Sequence, residues 1–464
     1  MNEDRRPHIL IAGGGYVGLY TTFGLRRLLQ RRRVRVTVVD PLSYMTYQPF
    51  LAEAAAGSVE PRHVIVPLRQ VLPRADIVNG RVVKIEHARK VALVETKAGP
   101  VREIGYDHVV VALGSISRTL PIPGLAEEGI GFKWIEEAIG LRNRVLDMFD
   151  LAASTDDPAT RRRALTFVVV GGGFAGVEAL GELEDLAHDA LRLYPKLNAS
   201  DMRWILVEAT DRILPEVGAE MGRYTVERLR ERRIEVKLGT LLTSCVDKHV
   251  VLSDGDEFDA SAIIWTAGVK ASPVLQDTDL PVDERGRLRA NPSLTVVGHS
   301  DAWTAGDCAA VPDLTRPGEF CAPTAQHAVR QARLLARNIE RSLQHRPLRD
   351  YKHKYVGSLA SLGLHKGVAQ AYGVKVRGWP AWFMHRTYHV SRVPTLNRKT
   401  RIVLDWTLAL FFRRDVAALG SLQSPYRVFR AAAVPTMPHN RGTQADNADP
   451  APPPRTTAQQ GDPR

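Results

Sequence analysis

HILIAGGGYVGLY at residues 8–20 and TFVVVGGGFAGVE at residues 166–178 are two versions of one pattern, and their reading decides the fold. In each, an apolar run of strand length meets a glycine cluster, and a helical stretch follows. Each then reaches a second β-branched run that ends in an acid: VRVTVVD, closing at Asp40, and MRWILVE, closing at Glu208. An approximate internal repeat of strand, glycine turn, helix and strand is the pattern of a βαβ nucleotide unit. The chain carries two of them.

Gly13, Gly15 and Gly18 fit G-x-G-x-x-G, and Gly171, Gly173 and Gly176 repeat it. The first glycine permits the tight turn and the second lets backbone amides approach a pyrophosphate. The third lets helix and strand pack closely. The pyrophosphate then sits on the helix N-terminus, where free N–H groups and the dipole favour negative charge. Asp40 and Glu208 stand where a carboxylate takes the ribose hydroxyls. One such loop could be a structural turn, but two loops with matched acids predict two Rossmann-like dinucleotide-binding domains in an α/β chain. An acid at both ribose positions would repel a 2′-phosphate. NAD is therefore expected rather than NADP, although Arg212 is nearby.

Composition narrows the class further. The 464 residues are 44% hydrophobic and 25% charged, which suits a folded chain of two or three domains. Three scattered cysteines, Cys245, Cys308 and Cys321, exclude a disulfide scaffold or a cysteine-rich metal or iron–sulfur site. No metal is expected. The net charge of +12 comes without aromatics interleaved among Arg31–Arg33 or Arg161–Arg163, so no nucleic acid is expected. No apolar stretch approaches the ~20 residues of a membrane span, and no cleavable leader is legible at the start. A cytoplasmic protein, peripheral on any membrane it meets, is the expectation.

Further motifs carry a family resemblance. TAGDCA (304–309) and YDHVVVALGS (106–115) resemble the second flavin motif and the linker motif of the two-dinucleotide-domain flavoprotein oxidoreductases. That likeness implies FAD on the first unit and NADH on the second. It gives FAD contacts at Gly13, Gly15, Gly18, Asp40, Gly114 and Asp307, with Asp307 on the ribityl chain. NADH would contact Gly171, Gly173, Gly176, Glu208 and Gly268. The paired cysteines of the disulfide reductases are missing, so electrons must leave the flavin for a diffusible acceptor.

YQPFLAEAAAGSVEP (47–61), GGGFAGVEALGEL (171–183), IIWTAGVKASP (263–273) and PTAQHAVRQARLLARNI (323–339) resemble the type II NADH dehydrogenases, single-subunit NADH:quinone oxidoreductases. The resemblance covers most of residues 8–430 and implies NADH oxidation through FAD with two-electron reduction of a membrane quinone. Nothing in the sequence suggests proton pumping. Glu178 matches the family's Gly-Val-Glu acid and is a candidate catalytic residue, as is Gln326. The helix opening at Ala325 would set its N-terminus near the flavin pyrimidine. Gln326 and Arg330 would border the quinone. Arg330 replaces the family's second glutamine, with Gln331 one residue later, and that departure bears on the acceptor.

The expected division is a FAD domain at 1–125 and 296–350, an NADH domain at 126–295, a membrane-associating region at 351–435 and a disordered Pro-rich tail at 436–464. The polar stretch 153–163 reads as an exposed loop. In 379–414, Trp379, Trp382 and Phe383 form one apolar helical face, and Ile402, Trp406, Ala409 and Leu410 form another. Seven Arg and Lys surround them, with Asp405 the only acid. Such helices suit the anionic surface on the cytoplasmic face of a membrane. Otherwise they would join two chains as a homodimer, or dock a soluble acceptor such as a ferredoxin or small redox protein.

Overall fold

A computed structural model describes residues 6–97, 99–353 and 357–418. The expected tail at 436–464 lies outside the described residues. The first part of the chain contains β1 (His8–Ala12), α1 (Tyr16–Gln30), β2 (Arg35–Asp40), α2 (Leu51–Ala55), β3 (Asp76–Glu86), β4 (Val91–Thr96), β5 (Gly99–Gly105) and β6 (His108–Val111). Then come β7 (Gly129–Gly131), α3 (Ile135–Ser154), β8 (Thr166–Val170), α4 (Phe174–Leu191), β9 (Arg203–Glu208), β10 (Glu235–Leu238) and β11 (Ala262–Trp265). The last part supplies β12 (Ala302–Thr304), α5 (Ala325–Leu343), β13 (Gly357–Ser361), β14 (Gly367–Ala371), β15 (Val374–Arg377), α6 (Trp379–Arg392) and α7 (Leu396–Leu408).

Two open sheets carry the two repeats. The first has the order β12-β6-β1-β2-β3-β4-β5, parallel through β3 and antiparallel beyond it. The second has the order β7-β11-β8-β9-β10 and is parallel throughout. Every residue of β1 and of β8 is buried, as parallel strands covered on both faces require. Both glycine loops leave the C-terminal ends of these central strands, where open α/β sheets bind ligands. β12 returns to the first sheet after the whole second sheet has been built. The first unit is therefore discontinuous in sequence. α5 closes against α1 at Gly24, where an added Cβ would meet the Ala336 Cβ at 2.4 Å.

Two expectations need correction. The stretch 153–163 is not all loop: Asp157 caps a short helix, Pro158–Ala164, accepting from the Ala159 and Thr160 amides. Proline at the first position and an Asp cap favour a helix start, which outweighs the polar composition.

The apolar faces of the last two helices are also not as expected. Trp382 and Ile402 are buried against the protein, and Trp406 turns inward to a carboxylate, while Trp379 and Phe383 stack outside with ring centroids 5.3 Å apart. The exposed apolar stripe instead runs through Leu396, Val403, Leu404, Leu408, Leu410, Phe411 and Phe412. Periodicity finds apolar positions but does not say which ones a neighbouring element covers. Here Tyr20 and Tyr47 donate to the Arg392 and His389 carbonyls, and His63 meets Asp405 at 2.5 Å, which fixes the helices' rotation.

Candidate active site

The two glycine loops are near-copies in three dimensions. Gly13 has φ +110° and Gly171 φ +114°, a region open to glycine alone at little cost. A Cβ on Gly18 would lie 1.9 Å from the Gly13 carbonyl oxygen, and one on Gly176 2.0 Å from that of Gly171. Helix and loop touch there with no room for a side chain. Gly15 and Gly173, by contrast, face open space. That is the cradle a pyrophosphate needs in front of a helix N-terminus.

The strand-end acids also behave alike. Asp40 accepts from the Gly14 amide at 2.6 Å and the Leu42 amide at 2.7 Å; Glu208 accepts from the Gly172 amide at 2.6 Å and the Thr210 amide at 2.8 Å. Each carboxylate thus ties its loop to the exit of its strand and keeps lone pairs for a ribose. Burial pushes the Asp40 carboxyl upward, against those two amide bonds. Arg212 is exposed. Both loops fit a dinucleotide.

One cavity of about 1130 Å³ lies between the units. It is reached by Glu178 and Gly268 from the second unit and by Asp307, Ala325, Gln326 and Arg330 from the first and from α5. The glycine-loop residues, Gly114 and the two ribose acids do not line it. Thr324 caps α5 by accepting from the His327 amide at 3.3 Å, so the helix opens with its free amides at the cavity wall.

Asp307 is held from the side. Ser115 donates to it at 2.6 Å, Lys133 donates to Ser115 at 2.5 Å, and Lys133 Nζ lies 3.8 Å from the carboxylate. Burial draws the Lys133 ammonium below the usual lysine range, while Asp307 and Glu137 push the other way. A cation on the cavity wall suits a cofactor whose reduced ring is anionic. Lys133 escapes sequence reading because it stands alone in GFKW. Its only signal is its place just ahead of α3.

Gln326 and Arg330 both face the cavity. Gln326 Oε1 lies 3.2 Å from His353 Nε2, and Arg330 donates to the Gln326 carbonyl at 3.1 Å. Gln331 does not stand in for the missing glutamine. It is buried and accepts from the Gly306 amide at 2.8 Å, holding the turn that carries Asp307. One residue along a helix is a rotation of about 100°, enough to take it off the cavity wall.

Glu178 accepts from the Ser361 amide at 3.1 Å and lies 3.0 Å from His385 Nε2 on α6. Ser361 and His385 are missed by sequence reading, since they come from a segment read as an anchor. Tyr16 is missed as well. Its hydroxyl is buried at the cavity without a protein partner, and burial raises it well above the usual tyrosine range.

Known proteins match this architecture. Residues 7–332 match the family model described as pyridine nucleotide-disulphide oxidoreductase. A type II NADH:quinone oxidoreductase of Staphylococcus saprophyticus is 30% identical, over 85% of this chain and 96% of its own. One of Mycobacterium tuberculosis is 28% identical, over 88% of this chain and 89% of its own. The solved structure of NDH2 from Plasmodium falciparum in complex with NADH superposes with a TM-score of 0.82 at 18% identity, covering 89% of this chain and all of that one. The chain belongs to the pyridine nucleotide-disulphide oxidoreductases and, within them, to the type II NADH:quinone oxidoreductases.

Proposed function

We propose that this chain oxidises NADH through FAD and passes the electron pair to a membrane quinone. The observation that carries it is the shared cavity, lined by Glu178 and Gly268 from one nucleotide unit and by Asp307 and Ala325 from the other. A nicotinamide entering from the second loop and a flavin ring entering from the first would meet there. FAD, when bound, accepts the hydride and releases electrons to the acceptor. The chain's own residues orient and balance charge. Asp40 and Glu208 take the riboses, and Asp307, steadied by Ser115, takes the ribityl chain. The amides opening α5 and the Lys133 ammonium face developing negative charge. Gln326 and Arg330 border the acceptor, and Glu178 serves as an acid–base group.

Association with an anionic membrane surface supports access to a lipid-soluble acceptor. Among the described residues no helix is long and apolar enough to cross a membrane. What favours surface binding is the exposed stripe Leu404, Leu408, Leu410, Phe411 and Phe412, beside Arg401 and Arg413. The cavity also reaches residues of α6 and of the α6–α7 turn, Tyr388, Arg392 and Pro394, the same helix pair that carries the stripe.

Half-reaction kinetics test this reading. Anaerobic NADH should bleach the flavin absorbance, and a menaquinone or ubiquinone analogue should restore it. Gln326→Ala should slow the second step far more than the first. A flavin that NADH leaves oxidised, or that no quinone reoxidises, overturns the proposal.

A further inference from the structure

At the end of β12 away from the Asp307 turn, the fold gathers groups that electron transfer does not use. Asp301 stands just before that strand, His299 two residues earlier, and His87 in the turn between β3 and β4. One ligand atom from each of the three lies within 4.8 Å of the other two. The two imidazoles meet at right angles, with centroids 4.7 Å apart. His87 is buried, while His299 and Asp301 are partly open to solvent. The turn that carries His87 is itself held, because Asp279 accepts from the His87 amide at 2.7 Å and the Ala88 amide at 2.8 Å. None of the three residues lines the central cavity.

Lys90 puts a cation among these donors. Its ammonium lies 2.9 Å from His87 Nε2 and pairs with Asp301, while Nε2 also lies 2.9 Å from Asp301 Oδ1. No placement of the imidazole proton satisfies all three pairs. With a proton on Nε2, the ring donates to Asp301 but turns an N–H toward the ammonium. Without one, it accepts from Lys90 but sets two acceptor atoms face to face at 2.9 Å. A single metal ion resolves the conflict, since it draws a bare nitrogen and a carboxylate oxygen to one centre. The proton then sits on Nδ1, which has the Tyr106 oxygen 3.2 Å away to receive it. Such an outer hydrogen bond fixes the tautomer of a ligating histidine.

We propose that His87, His299 and Asp301 form a zinc site, filled when Lys90 swings out to solvent. Two imidazoles and one carboxylate suit Zn²⁺ and leave its fourth position to water; Mg²⁺ and Ca²⁺ favour oxygen ligands throughout. Lys90 is free to leave, because its side chain is 37% exposed on a flexible stem. Bonds of about 2.0 Å to a tetrahedral ion set the ligand atoms ~3.3 Å apart, a contraction that the partly exposed His299 ring supplies. The ion's role is structural: it pins the β3–β4 turn to the start of β12. The sequence carries no metal motif for this site because the ligands stand more than 200 residues apart.

Two variants with opposite expected signs test it on the FAD-loaded protein. Zn²⁺ should raise the wild-type melting temperature, and Mg²⁺ should leave it unmoved. Co²⁺ should bind in place of Zn²⁺ and show the visible absorption of a tetrahedral ion. His299→Ala should weaken zinc binding at least about tenfold by titration calorimetry. Lys90→Met removes the competing ammonium and should tighten it. Reduction of the flavin by NADH serves as the check that each variant has folded. A wild-type melting temperature indifferent to Zn²⁺, or zinc binding that His299→Ala leaves intact, overturns the proposal. So does a Lys90→Met protein that binds zinc no more tightly than the wild type, which decides the matter even where His299→Ala fails to fold.

Discussion

The indole N–H of Trp406 donates to Glu53 across 2.7 Å, joining α7 to a carboxylate buried under the first glycine unit. Glu53 also has a cation beside it, Arg386, at 3.3 Å. Trp406→Phe keeps the ring and removes the donor. It should cost about 1–3 kcal/mol, because a buried charged acceptor loses a partner. Urea unfolding measures this. A change below about 0.5 kcal/mol would show that the bond does not hold the helix in place.

The two open glycines and the two packed ones should separate binding from folding. Gly173→Ala places a methyl where nothing of the protein stands, so the fold should survive while NADH binding weakens. Gly176→Ala drives a methyl into the Gly171 carbonyl at 2.0 Å and should lower stability by ~1–3 kcal/mol. Thermal melts and NADH titrations of both variants check the contrast. The reverse order would refute the assignment of the loop.

NADH should reduce the flavin much faster than NADPH at equal concentration. Glu208→Gln keeps an acceptor for the Gly172 amide but removes the charge, and should narrow the preference by about 1–3 kcal/mol. Stopped-flow flavin reduction with each nucleotide reads it. A wild type that prefers NADPH defeats the prediction.

The orientation of α7 makes a paired prediction. Leu404 and Leu408 are about half exposed and Ile402 is fully buried. Leu404→Glu with Leu408→Glu should weaken co-sedimentation with anionic vesicles at low salt and leave the melting temperature nearly unchanged. Ile402→Ala should cost ~2–5 kcal/mol of stability. Wild-type protein that stays off such vesicles would turn the stripe into a contact between protein chains.

Glu182 makes stability depend on pH in a definite direction. Burial, opposed by Arg414, pushes its carboxyl from 4.5 up to about 7. Between those values the folded chain keeps a proton that the unfolded chain has released. Stability contributed by this site therefore falls as pH rises through that window. Glu182→Gln should remove that part of the slope, seen in denaturation midpoints at several pH values. A parallel slope in the variant would assign the effect elsewhere.

Local pattern alone was enough for the two nucleotide units. Strand, glycine turn, helix and terminal acid are all set within about 40 residues, by steric rules that hold in any context. The helix at 325 and the turn carrying Asp307 were legible for the same reason. Three things depended on long-range packing. β12 enters the first sheet beside β6, which no local signal specifies. Gln331 and Arg330 differ by one helical step, and contact with the Gly306 turn decides which of them faces the cavity. Most of all, His385, Trp406 and Arg414 lie in a stretch whose aromatic and basic composition suits a membrane surface, yet they turn inward to Glu178, Glu53 and Glu182. Composition records what a side chain can do, but burial and ion pairing across more than 200 residues depend on which surfaces the finished fold leaves uncovered.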